Sequence, residues 1–115
     1  MTAFAAIIPR QPAAERTGVS EIATALSEVY GTPCESAVFD GCVLLAAPLV
    51  PGSDCHLLVD STGGIAATGQ VLLEDRRGLS GALGLPRHSH SLRLSAAAYQ
   101  RWGATCAERL GGEFA

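Results

Sequence analysis

The first third of the chain combines a short apolar run with a helical pattern. The run at 3–9, AFAAIIP, ends at Pro9 and predicts a short buried strand, because a buried helix would need a longer segment. From Thr17 onward, apolar residues recur at helical spacing and predict an amphipathic helix that ends at Gly31 and Pro33. These apolar residues are Val19, Ile22, Ala23, Leu26 and Val29. The chain therefore opens with a strand and a helix.

The middle of the chain has the pattern of short strands. Segment 36–47, SAVFDGCVLLAA, predicts two strands joined at Asp40-Gly41, because Asp-Gly between apolar runs is a strong signal for a tight β-hairpin turn. Segments 55–60, CHLLVD, and 65–73, IAATGQVLL, predict two more strands on either side of a glycine-rich turn. We therefore expect four consecutive strands here.

The last third of the chain is predicted to be helical. Segment 74–86 has helical spacing, with Asp75 as the first cap and Gly84 at the end. Beyond it, Leu94, Ala98, Trp102, Cys106 and Leu110 recur every four residues, and Gly103 is expected to divide this segment into two helical pieces. Because strands are grouped before helices, the order indicates an α+β fold with helices packed on antiparallel sheet.

Composition places the chain among globular proteins. Its 115 residues allow one domain with a modest core. The composition differs from that of a disordered chain, since 48% of the residues are hydrophobic and 17% are charged. No apolar run approaches the roughly 20 residues of a membrane-spanning helix, and the N-terminus lacks the basic segment of a signal peptide. We therefore expect a cytoplasmic protein without a membrane partner.

The charged residues narrow the function further. The net charge is −3, all eight basic residues are arginine, and the chain contains neither lysine nor asparagine. We interpret the arginines as scattered along the chain, so we expect no nucleic-acid partner. Without lysine the chain cannot supply a phosphate-loop lysine, a Schiff base or a Ser–Lys nucleophile pair.

The four cysteines, Cys34, Cys42, Cys55 and Cys106, contain no Cys-x-x-Cys pair. Cys55-His56 and His88-x-His90 could supply metal ligands, but structural zinc sites usually contain a tight pair of ligands. We therefore expect no metal site. The cysteines are expected to be reduced and to pack as small hydrophobic residues.

Two segments of the chain resemble the asparagine synthetase family. In 97–115, AAYQRWGATCAERLGGEFA, the residues match the family's Tyr-x-x-Trp-Gly, then Cys-x-x-Arg-Leu, then a strand that begins Gly-x-Phe-Ala. Segment 69–84, GQVLLEDRRGLSGALG, is similar to the family's Gly-Glu-x-x-x-x-Arg-x-Leu. The opening MTAFAAIIP resembles the family's apolar start in length and hydrophobicity.

The resemblance implies a class II (type 2) glutamine amidotransferase domain. Such domains have the N-terminal-nucleophile (Ntn) hydrolase fold, in which two sheets are sandwiched between helix layers. A full domain of this kind is longer than 115 residues, and the chain ends at Phe114-Ala115, where its last strand begins. We therefore expect residues 1–115 to form one incomplete domain, whose central strands lack partners and leave apolar edges that could favour a homo-oligomer.

The resemblance also implies where a glutaminase site would lie. Thr2 takes the place of the nucleophilic cysteine, and Thr68-Gly69 takes the place of an Asn-Gly pair that stabilises the oxyanion. His90 stands where the family has the aspartate that binds the substrate ammonium, and segment 29–35, VYGTPCE, lacks the arginine that binds the substrate carboxylate. Because all four elements are altered, we expect an inactive site, that is, a pseudoenzyme.

The family's β-lactam synthetases and lasso-peptide cyclases use an internal amine instead of ammonia, so a glutaminase is not needed. The resemblance therefore implies a structural role beside an ATP-dependent synthetase, present as a C-terminal domain or a separate chain. ATP and Mg²⁺ would bind there, no cofactor is expected in this chain, and a precursor peptide would be a further partner. Tyr99 and Trp102 are expected to anchor helix packing.

Two alternatives remain open. One is an active amidohydrolase in which Thr2 is the nucleophile and its own α-amino group, whose pKa is close to neutral, is the base. The other is a small binding module without catalysis.

Overall fold

A computed structural model describes residues 2–7, 16–48 and 56–114 of the chain. The elements are β1 (Thr2–Ile7), α1 (Arg16–Tyr30), β2 (Glu35–Phe39), β3 (Cys42–Pro48), β4 (Leu57–Asp60), β5 (Ile65–Thr68), β6 (Val71–Leu73), α2 (Arg76–Leu83), α3 (Ser91–Trp102), a 3₁₀ helix (Gly103–Arg109) and β7 (Gly112–Phe114). The expected α+β class is confirmed. Among the helices of these residues, none combines the length and the apolarity needed to cross a bilayer.

Three strands form an antiparallel sheet in the order β1–β3–β2. The predicted turn at Asp40-Gly41 is confirmed, since the φ angles of 47° and 78° are the two positive values that a type I′ hairpin requires. β1 pairs with β3 from Thr2 opposite Pro48 to Ile7 opposite Val43. Thus β3 is the central strand, and β1 lies at the edge of the sheet that the described residues form, with one side unpaired there.

The core is centred on β3. Four consecutive residues, Leu44, Leu45, Ala46 and Ala47, are at most 8% exposed. Because successive side chains in a strand point to opposite faces, this run requires that both faces of the sheet are covered. The packing partners of β3 are α1, which also contacts β1, and the β4–β5 hairpin, which also reaches β1 and β2. We infer that α1 and the hairpin cover opposite faces.

The β4–β5 hairpin in turn packs against α3, and α2 packs against α3. Buried residues lie on two sides of α3, as expected for a helix with neighbours on both sides: Leu92 and Ala96 on one side, Leu94 and Ala98 on the other. The resulting order of layers is α1, the three-stranded sheet, the β4–β5 hairpin, and finally the pair α2 and α3.

Segment 65–73 was expected to be one strand, and the structure shows two. Gly69 lies between β5 and β6 with a φ of 152°, a conformation that favours glycine. Beyond Gly69 the chain no longer runs beside β4. Instead, β6 pairs with β7, with Leu73 opposite Gly112. Within the described residues β5 has the single partner β4, and β6 has the single partner β7.

The predicted helix boundaries in the last third are confirmed. Asp75 caps α2 by accepting a hydrogen bond from the Gly78 N–H at 2.8 Å, and Gly84 ends the helix in a left-handed conformation. The expected break at Gly103 separates α3 from the 3₁₀ helix.

The cysteines in the described residues, Cys34, Cys42 and Cys106, are free thiols. Cys55 lies outside those residues. Within the described part of the chain, no three His, Cys, Asp or Glu side chains are grouped so that they could hold a metal ion.

Candidate functional site

The four residues that the sequence placed at a glutaminase site lie on three elements. Thr2 is the first residue of β1, Thr68 is the last residue of β5 and Gly69 follows it, while His90 precedes the first turn of α3. Both β1 and α3 pack against β5. The fold therefore puts Thr68 and Gly69 at the end of a strand that contacts both β1, which begins with Thr2, and α3, which follows His90.

Thr68 and Gly69 are both tied to the main chain of His56. The Thr68 hydroxyl donates to the His56 carbonyl oxygen at 2.9 Å and lies 3.3 Å from the carbonyl oxygen of Leu45. The Gly69 N–H donates to the same His56 carbonyl oxygen at 3.3 Å. An oxyanion hole needs donors that point at the substrate. Here the two available donors point at a protein carbonyl instead.

A cleft of about 300 Å³ opens beside Thr68, between β5 and α3. We call it the β5–α3 cleft and define it by Ile65, Ala67, Thr68, Leu92, Ser95 and Tyr99 among its lining residues. Its walls are mainly apolar, and its side-chain polar atoms are the hydroxyls of Thr68, Ser95 and Tyr99. The Ser95 hydroxyl donates to the Ser91 carbonyl oxygen at 3.0 Å.

These groups limit the chemistry of the β5–α3 cleft. Among the described residues that line it, there is no carboxylate, imidazole, thiol or guanidinium. Neither charged end of glutamine would therefore meet an opposite charge, and no side chain is suited to act as a general base. The oxygens of Thr68 and Ser95 remain available as hydrogen-bond acceptors, so the cleft fits an apolar group that carries a donor.

His90 lies outside the β5–α3 cleft. It is exposed and extended at the N-cap of α3, its side chain forms no capping hydrogen bond, and its carbonyl oxygen accepts from the Leu94 N–H at 3.0 Å. Of the predicted site residues at β5 and α3, the cleft is therefore lined by Thr68 but by neither Gly69 nor His90.

Sequence reasoning missed two residues of the cleft. Ser95 and Tyr99 follow Leu92 at intervals of three and four residues, which places all three on one side of α3. That spacing could have indicated a shared surface of α3, but Tyr99 was interpreted as a helix-packing residue. The assignment is wrong for Tyr99, which is 56% exposed.

Trp102 has the packing role that was expected of it. It is half-buried, and the guanidinium carbon of Arg109 lies 5.0 Å from the centroid of its ring, within the range of a cation–π contact. This contact ties the 3₁₀ helix to the end of α3. Both residues belong to the segment that resembles the asparagine synthetase family, so two of its matched residues have a structural function here.

The surroundings of the Cys34 thiol shift its pKa upward. Burial raises the pKa of the Cys34 thiol, a hydrogen bond from the backbone of Ala46 lowers it, and the charge of Glu35 raises it. A raised pKa reduces the thiolate fraction at neutral pH, and the thiolate is the reactive form. Cys34 is therefore not an activated nucleophile.

No protein-family model, curated protein sequence or solved structure matches the chain.

Proposed function

We propose that this chain is an inactive glutaminase-like domain of an asparagine synthetase-related, ATP-dependent amide-forming enzyme. The enzyme would be of the lasso-peptide cyclase or β-lactam synthetase type, and the role of this domain would be structural. The main support for an inactive site is that the Thr68 hydroxyl and the Gly69 N–H both donate to the His56 carbonyl oxygen. With both donors engaged, a tetrahedral intermediate would find no oxyanion stabilisation at this position, and loss of one such donor already costs about 100–1000-fold in rate.

The layer order supports the Ntn-hydrolase part of the proposal. In the described residues, antiparallel strands lie between α1 on one outer side and α2 with α3 on the other. A sandwich of two sheets between helix layers is the arrangement that the family resemblance implies. The contact between Trp102 and Arg109 adds support, because it gives a physical reason for two of the residues that carry the resemblance.

The proposal assigns the partners by chemistry. A synthetase that activates a carboxylate would bind ATP and Mg²⁺ in its own domain or chain, and a precursor peptide would be the substrate of a lasso-type enzyme. We place the protein in the cytoplasm, where ATP is available to such a synthetase.

The activity half of the proposal is tested by measuring ammonia release from glutamine with the purified chain. We expect background rates for the wild type, for Thr2→Ala and for Thr2→Cys, because the oxyanion donors and the substrate-binding charges are missing in all three. Ammonia release that Thr2→Ala abolishes would support the alternative of an active amidohydrolase instead. The mass of the mature protein adds an independent check, since a retained Met1 leaves Thr2 without a free α-amino group.

The structural half of the proposal is tested through the neighbouring gene. We expect an adjacent reading frame with the ATP-pyrophosphatase signature Ser-Gly-Gly-x-Asp-Ser, and we expect its product to copurify with this chain. The other alternative, a small binding module, is favoured by the β5–α3 cleft. It would gain support if no such reading frame exists and if variants that fill the cleft, such as Ala67→Leu, abolish binding of a small apolar probe.

A further inference from the structure

The charged residues of this chain separate into two parts of the sequence. Residues 1–75 contain two arginines and nine acidic residues, a net charge of −7. Residues 76–115 contain six arginines and two acidic residues, a net charge of +4. No Asp or Glu occurs between Asp75 and Glu108. The interpretation of the arginines as scattered is therefore wrong for the last third of the chain.

The outer layer formed by α2 and α3 carries this positive charge. Arg77 on α2, Arg87 in the following loop, and Arg93 and Arg101 on α3 are all exposed. We call these four arginines the basic surface. Within the described part of the chain, the guanidinium groups of these four arginines have no ion-pair or hydrogen-bond partner, and Arg77 accepts from the Ser80 hydroxyl only through its carbonyl oxygen. The basic surface is thus a set of charges that are not paired with any described residue.

The opposite outer layer, α1, has a net negative charge, with Glu21 and Glu28 against Arg16 at its first position. Glu21 and Glu28 are seven residues apart and exposed, so they lie on the same outward side of the helix. Beside them, Ile22 is 41% exposed and Val29 is 75% exposed, although both are large apolar side chains. We call these four residues the acidic surface. It combines two carboxylates with two uncovered apolar groups, which is a composition suited to a protein contact.

We propose that the basic surface of one copy of this chain docks on the acidic surface of a second copy. Because the two surfaces lie on opposite outer layers, the contact is head-to-tail, and each copy keeps a free surface for the next one. Exposed ion pairs are individually weak. The association is therefore reversible and sensitive to salt, with Ile22 and Val29 adding the apolar area that charge alone does not supply.

The distribution of charge favours a second copy of the chain over a nucleic acid as the partner of the basic surface. A nucleic-acid strand would be attracted by the basic surface but repelled by the remaining chain, whose first 75 residues have a net charge of −7. Nucleic-acid-binding domains are usually basic overall, whereas this chain has a net charge of −3. A second copy presents the acidic surface of α1 and carries its own basic surface away from the contact.

Sedimentation velocity over a concentration series tests the proposal with the whole chain. At about 10 mM salt, where the Debye length is about 30 Å, we expect concentration-dependent species larger than the monomer. At about 150 mM salt the Debye length falls to about 8 Å, and the association constant should fall at least about tenfold. Arg93→Glu with Arg101→Glu, and separately Glu21→Arg with Glu28→Arg, should each return the protein to a monomer. Circular dichroism verifies that each double variant is folded.

Mixing the two double variants gives the sharpest result. The new glutamates on α3 of one variant face the new arginines on α1 of the other, so the equimolar mixture should associate again although neither variant does so alone. Glu74→Arg with Glu113→Arg changes the net charge by the same amount as the α1 variant, at exposed positions outside both surfaces, and should leave association largely unchanged.

Three outcomes would overturn the proposal. One is a monomer at low salt at every concentration, and another is a mixture of the two variants that remains monomeric. The third is binding of a duplex DNA probe that depends on Arg93 and Arg101 while the protein shows no self-association. That result would assign the basic surface to nucleic acid.

Discussion

Replacement of Leu94 by alanine tests whether α3 is packed into the core of the fold. Leu94 is fully buried on α3, the helix that packs against the β4–β5 hairpin. Removing a fully buried leucine side chain costs about 2.7–5.0 kcal/mol, because the lost transfer free energy adds to the cost of the cavity that remains. A small domain has a free energy of unfolding of only about 5–15 kcal/mol, so this one change should remove a large share of it.

Leu72→Ala is the matched control, because it makes the same chemical change at an exposed position. Leu72 on β6 is 65% exposed, so about one third of its side chain is removed from water. Full burial of a leucine is worth about 1.5–3 kcal/mol, so the expected cost at Leu72 is about 0.5–1 kcal/mol. The two substitutions should therefore differ by roughly 2 kcal/mol or more.

Urea denaturation followed by the fluorescence of Trp102, the single tryptophan of the chain, measures both values. The midpoint should fall much further for Leu94→Ala than for Leu72→Ala, with similar slopes if unfolding remains two-state. If Leu94→Ala does not fold, Leu94→Met, which conserves volume, should cost less than about 1.5 kcal/mol and provides the comparison instead. Equal losses for the two alanine variants would contradict the burial of Leu94 in the core.

Three further predictions follow from single interactions. Thr68→Val removes the hydroxyl that donates to the His56 carbonyl and should cost about 1 kcal/mol in urea denaturation, while Thr68→Ser, which keeps the hydroxyl, should cost less. Asp75→Ala removes the cap on the Gly78 N–H and should lower stability by about 0.5–2 kcal/mol, with Asp75→Asn much milder. The raised pKa of Cys34 means that the folded state favours the neutral thiol. That contribution to stability is present below the pKa of the unfolded thiol and is lost as pH rises through the folded value, so the wild type should lose more stability than Cys34→Ser in alkaline urea titrations. An equal loss in both proteins would contradict the shift.

Sequence reasoning placed those features that depend on a few adjacent residues. The turn at Asp40-Gly41 follows from the positive φ angles that this dipeptide accepts. The ends of α2 follow from a side-chain acceptor at Asp75 and a left-handed residue at Gly84. In each case the deciding atoms lie within four residues of one another, so the chain need not be folded for the preference to act.

The division of segment 65–73 could not be predicted in this way. Whether the residues after Gly69 continue beside β4 depends on the availability of another partner, and that partner is β7, about forty residues later in the chain. The local pattern of apolar residues is compatible with either pairing. Only the pairing of Leu73 with Gly112 decides that β6 is a separate strand.

The candidate site shows the same difference between what local sequence predicts and what the tertiary fold decides. The sequence could point to Thr68 and Gly69 as residues of interest, but it could not show that the His56 carbonyl, twelve residues before Thr68, accepts from both of them. A donor's availability depends on what else lies within 3.5 Å, which is a property of the tertiary fold. For the same reason, Tyr99 has the sequence signature of a packing residue and yet is exposed at a cleft.

The order of layers also explains why the separation of charge along the sequence becomes a separation in space. α1 precedes the hairpin of β2 and β3 and covers one outer side, whereas α2 and α3 follow β4–β6 and cover the other. Had α1 and α3 shared one side, Glu21 and Glu28 could have paired with Arg93 and Arg101 within the same molecule. Two sheet layers separate these groups instead, and packed sheets are generally about 10 Å apart, which exceeds the Debye length of about 8 Å at physiological salt. Among the described residues, the two surfaces therefore do not compensate each other within one chain, and a second copy presents both of the surfaces required.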